Sequence, residues 1–98
     1  MIDTLSNRRR HRMTTALVTH VVDVVDGNGN PVAGAMVDAH YRLGSGRDVV
    51  TVGRADADGR ARFHETLDDM PAELTLFVDR ESSGPHRFRQ GSRHIVEM

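Results

Sequence analysis

The sequence of 98 residues predicts an all-β protein, an antiparallel β-sandwich, and three observations predict it. From Ala16 onward apolar residues recur with a period of two rather than 3.6. Clusters of Gly, Asn, Asp and Pro interrupt them at short intervals, and no segment has the spacing of an amphipathic helix. The length leaves room for one domain. The expected organisation is a disordered basic tail over residues 1–15 and a sandwich of about six to seven short strands over residues 16–98.

Each strand has its own justification. Residues 17–25 are β-branched and long enough for a strand. One of its faces carries Val18, His20, Val22 and Val24 and the other Leu17, Thr19, Val21, Asp23 and Val25. Both are fairly apolar, so the inward face is left open. Residues 26–31 concentrate turn chemistry, since Gly and Asn accept positive φ and Pro ends a ladder. Ala35, Val37, Ala39, Tyr41 and Leu43 then alternate inward against outward Asp38, His40 and Arg42. Gly44, Ser45 and Gly46 form a turn, and residues 48–52 a third strand. A tight turn with Gly59 in the left-handed conformation leads to a short strand with Ala61 and Phe63 inward. Residues 66–73 are expected to be irregular, with Pro71 excluding a central strand. Residues 74–78 make the fifth strand, residues 82–85 another turn, and the segment from Phe88 to Met98 the last strand, strongest over its final five residues. Phe77 is expected to be exposed beside Leu76 and Val78, which points either to another chain covering part of one sheet or to a Phe at a loop-shielded edge.

Composition narrows the chemistry. Hydrophobic residues make up 38%, charged residues 28% and aromatics 4%, so a soluble core must be built from small aliphatics. There is no Cys, which removes disulfides, thiol nucleophiles and cysteine-based metal sites. The formal net charge of −1 gives the whole chain no bias toward nucleic acid or membrane. All basic residues are Arg, four of them in the tail as Arg8, Arg9, Arg10 and Arg12. Polar residues break the segment after Arg12, so it does not read as a secretory signal and a cytoplasmic location is expected. No cofactor, nucleic-acid partner or membrane contact is expected. The small core and exposed Phe77 point to a homo-oligomer formed through sheet edges.

Several constellations invite chemistry and fail on spacing. The residues Asp26, Asn28 and Asn30 match the first oxygen positions of a calcium loop. Pro31 then stands where Gly is required and Val37 where a bidentate Glu is required. The six His residues include no H-x-H or H-x-x-x-H pair, so no metal site is expected. No Ser lies in G-x-S-x-G, and no Gly-rich loop precedes a helix. Arg87, Phe88, Arg89 and Arg93 form a basic segment with an aromatic inside it, a candidate binding patch for an acidic partner or a carboxylate ligand.

Two sequence stretches go beyond a generic β-pattern. Residues 24–37, VVDGNGNPVAGAMV, resemble the opening hairpin V-x-D-x-x-G-x-P-[VL]-x-G-A-x-V of the carboxypeptidase regulatory-like domains, which are transthyretin-like sandwiches. Residues 55–63, ADADGRARF, are similar to their second signature, T-D-x-x-G-x-[FY]-x-[FL], and residues 67–78 to the segment that follows. This resemblance implies a non-enzymatic interaction or ligand-binding module. Residues 17–23, LVTHVVD, also resemble the opening strand of the hydroxyisourate hydrolases, which share the transthyretin fold. That second resemblance implies catalytic roles for His20, Arg60 and His94, which would activate water and stabilise an oxyanion at a purine-derived ring. The hydrolases' terminal Y-R-G-S strand has no counterpart before Met98, so the three residues are expected not to assemble into one site.

Overall fold

A computed structural model describes residues 15–98, and the expected basic tail lies, Thr15 apart, outside the described residues. Seven strands follow one another: β1 (Ala16–Val25), β2 (Met36–Leu43), β3 (Asp48–Arg54), β4 (Arg60–Leu67), β5 (Pro71–Val78), β6 (Glu81–Arg87) and β7 (Ser92–Glu97). They form a three-stranded sheet, ordered β4-β1-β7, and a four-stranded sheet, ordered β3-β2-β5-β6. All neighbours are antiparallel except β1 and β7, which run parallel. The protein is a small β-sandwich.

The alternation that predicts the strands also builds the core. Val18, Val22 and Val24 from β1 meet Val37, Ala39, Tyr41 and Leu43 from β2, with Ala61 and Phe63 from β4 and Leu74, Leu76 and Val78 from β5. The face of β1 left open by its apolar pattern is therefore the one carrying His20, which is buried with the valines.

The two sheets meet at both long sides. At the β3/β4 side the backbone of Gly53 lies against Phe63, and a Cβ at position 53 would sit 2.9 Å from the ring. At the β6/β7 side His86 and His94 stack with ring centroids 4.4 Å apart.

One end is closed by two turns of the same design. The Asp26 carboxylate accepts backbone N–H bonds from Asn28 and Asn30, and the Asp56 carboxylate accepts them from Asp58 and Arg60. Gly29 and Gly59 take φ of 83° and 76° at the equivalent position of each turn. Gly59 packs so closely on β1 that a Cβ there would lie 2.7 Å from the Val24 carbonyl oxygen.

Two expectations are corrected. Pro71 does not keep its segment out of a central strand: it opens β5, where no preceding ladder bond is lost, and pairs with Leu43 at an irregularity in β2. Residues 82–85 are not a turn but part of β6, an edge strand on which Pro85 is tolerated; the chain reverses at Asp79 and Arg80 instead, with Asp79 at φ 57°. The β1–β7 pair is parallel, an orientation that alternation does not encode.

Candidate functional site

Three features stand on this frame: a polar cluster between the sheets, an arginine pair on the outer face of the three-stranded sheet, and the outer face of the four-stranded sheet.

The inner cluster grows from His20. Its ring is 2% exposed and stacks on Phe63 at 4.8 Å between centroids, with Tyr41 and Phe88 presented edge-on. Its Nε2 shares a 2.6 Å hydrogen bond with the Tyr41 hydroxyl, which ties β1 of one sheet to β2 of the other. Burial, and then the neighbouring His94, push the His20 pKa down to about 4, so the ring is neutral at pH 7. Burial pushes the Tyr41 hydroxyl up to about 12. His94 lies on the same inner side, one strand away, in the register that sets it beside Val22. Its pKa is lowered by burial and by His86. The His86 Nε2 meets the Ser83 hydroxyl at 2.8 Å.

Arg60 stands on the other side of the same sheet. The pairing of Asp23 with Arg60 puts both on the outer face, where Arg60 Nε donates to Asp23 Oδ1 at 2.8 Å and Arg93 Nε donates to Oδ2 at 2.6 Å. These two guanidiniums, Arg60 first, hold the Asp23 carboxyl below its usual range. Of the trio that resemblance to the hydrolases implies, the structure thus brings His20 and His94 together inside and places Arg60 outside, bound to an acid. A depression of about 330 Å³ is lined by Thr19, His20, Val21, Arg62, Phe63, His64 and Gly91, so it reaches His20 but neither Arg60 nor His94.

The basic segment does not form one patch. Arg87 lies on the outer face of the four-stranded sheet opposite Glu73, and Arg93 on the outer face of the three-stranded sheet. Arg89 is exposed in the connection between them. Phe88 is 8% exposed and belongs to the core beside His20 and Tyr41, so it offers no surface ring. Among the described residues no group of three or more His, Cys, Asp or Glu is placed to hold a metal ion. The calcium-like turn at Asp26 spends its carboxylate on backbone N–H groups.

The outer face of the four-stranded sheet is the broadest of these surfaces. Met36, Val50, Val52 and Phe77 point into water from it, between 37% and 55% exposed. His40 sits among them, its ring edge-on to Phe77 at 4.5 Å. A depression of about 310 Å³ opens between His40, Arg42, Glu73, Thr75, Phe77 and Pro85. Sequence reasoning marked Phe77 and missed its partners. Their signal is the alternation of β3, in which Val50 and Val52 fall opposite outward-facing His40 and Asp38. It also missed Tyr41 and His86 as partners of the buried histidines, because those contacts join strands of different sheets.

No protein-family model matches the chain, and no curated protein matches it. Among the described residues no helix is long and apolar enough to cross a membrane.

Proposed function

We propose that the protein is a non-enzymatic interaction module of the transthyretin-like, carboxypeptidase regulatory-like type, and that its contact surface is the outer face of the four-stranded sheet. The observation that carries this reading is the exposure of Met36, Val50, Val52 and Phe77 on a single sheet face. Large apolar side chains gathered on one exposed face, rimmed by polar residues, mark contact sites more often than the same residues scattered singly. The two sequence signatures supply support of a different kind: both fall on the twin turns that close one end, where Asp26, Gly29, Asp56 and Gly59 have defined backbone roles.

The alternative, hydrolysis of a purine-derived ring by His20, Arg60 and His94, asks for a reachable base and an oxyanion partner in one cleft. A ring locked between Phe63 and Tyr41 does not favour it. The test is turnover of 5-hydroxyisourate by the purified chain. The module reading expects no rate above the uncatalysed reaction. Turnover that disappears in His20→Ala overturns it.

A further inference from the structure

The outer face of the four-stranded sheet carries a feature beyond its apolar centre. Asp48, Arg42, Glu73 and Arg87 stand side by side across β3, β2, β5 and β6, each the registered partner of the next. Their charges alternate in sign from one edge of the sheet to the other, and Arg42 Nε already donates to Asp48 at 2.9 Å. A row of four alternating charges changes sign when its order is reversed. It is therefore complementary to its own copy turned about an axis that runs along the strands.

We infer that this face docks on the same face of a second copy of the chain, about a two-fold axis parallel to the strands and midway between β2 and β5. The inference rests on the module reading above and names its partner. The rotation lays β3 over the partner's β6 and β2 over the partner's β5. Asp48 then faces the partner's Arg87, and Arg42 faces the partner's Glu73. His40 falls opposite the partner's Thr75. The partner's Val50 is aimed at the depression beside Pro85, so the aliphatic side of one face enters the hollow side of the other. A two-fold contact of this kind uses one patch twice and closes on itself.

The size fits a specific but weak dimer. Four strands about 4.8 Å apart and some seven residues long at about 3.4 Å each make a face of roughly 19 by 24 Å. With side-chain relief, two such faces bury on the order of 1,000–1,200 Å², the lower end of specific interfaces. Association through the face also differs from the edge pairing expected from sequence. The free edge of the four-stranded sheet at β6 carries Pro85, which lacks a backbone donor for a further strand.

The experiment is sedimentation velocity of the whole chain from about 10 to about 500 µM, a range that spans micromolar affinity. The expected result is a concentration-dependent rise from one chain mass to two. Arg42→Glu and Glu73→Arg each set like charges opposite one another and should weaken the dimer at least about tenfold. The double swap Arg42→Glu with Glu73→Arg restores the pairing and should recover the wild-type constant to within about threefold. Ile95→Glu, on the other sheet, should leave it unchanged. A single cooperative urea transition shows that each variant is folded. A chain that stays monomeric at the highest concentration overturns the inference, and so does a dimer indifferent to both single swaps. Neither result touches the module reading, which stands or falls on the hydrolysis assay.

Discussion

Lowering the pH should destabilise this sandwich well before its carboxylates protonate, and His20 sets the size of the effect. An unfolded histidine takes up a proton near pH 6.5, whereas burial holds His20 in the folded chain at about 4. The folded state binds fewer protons across that window. The stabilisation is therefore whole above pH 6.5 and is lost as pH falls through 6.5 toward 4. At about 1.4 kcal/mol per tenfold change, the loss is about 2 kcal/mol by pH 5 and about 3 kcal/mol by pH 4. His94, whose pKa is also lowered, acts in the same direction. Asp23, Asp26 and Asp56 act below this window, since their depressed pKa values add stability above 3.8 that is lost only as pH falls further. For a small domain with a total stability of about 5 kcal/mol, the histidine term alone removes half of it. The assay is urea unfolding at pH 7, 6, 5 and 4.5 for wild type and for His20→Gln, whose amide can still reach Tyr41 but does not titrate. Wild type should lose about 2 kcal/mol between pH 6.5 and 5, and the gap between the two proteins should shrink by about that amount. A wild-type stability flat across this range refutes the reasoning, as does a variant with the same slope.

Other predictions follow from the packing. Gly53→Val should cost about 1–3 kcal/mol in a denaturant titration, because its side chain meets a Phe63 ring that cannot retreat from His20. Gly59→Ala should cost at least about 1–3 kcal/mol, since it combines a positive φ with a contact to the Val24 carbonyl oxygen, and the same titration should place it below wild type throughout. Arg60→Ala and Arg93→Ala should each destabilise only slightly, while the double variant should lose more than their sum because Asp23 is left without either partner. Double-mutant analysis of thermal unfolding reads that coupling.

The strands that could be read from sequence are those whose two faces differ. In β2 the inward Val37, Ala39, Tyr41 and Leu43 alternate with Asp38, His40 and Arg42, and the structure keeps that division. β1 is apolar on both faces, so its orientation depends on a tertiary contact, the fit of His20 between Phe63 and Tyr41. β6 contains Ser82, Ser83, Gly84 and Pro85, residues that local chemistry assigns to turns; only its place at a sheet edge makes it a strand. The same limit explains Phe88. Arg87, Phe88 and Arg89 read as a surface patch by composition, whereas their period of two already separates an inward ring from outward guanidiniums. The candidate catalytic trio failed to converge for a related reason. His20 and Arg60 lie on neighbouring strands, and parity places them on opposite sides of the sheet: His20 pairs with Phe63, three residues from Arg60. That parity cannot be worked out until the register is known.

The central claim is that the chain docks on a second copy of itself through the outer face of the four-stranded sheet, and that the histidines beneath the other sheet take no part in that contact. Backbone and methyl NMR spectra of the isotope-labelled chain, recorded on dilution from millimolar to micromolar concentration, test it most directly. The account predicts shifts confined to Met36, His40, Val50, Val52, Thr75 and Phe77 and to the charged row beside them, with His20 and Tyr41 unmoved. Spectra that do not change on dilution, or changes centred on Arg60, Ile95 and the rest of the three-stranded sheet, would contradict it.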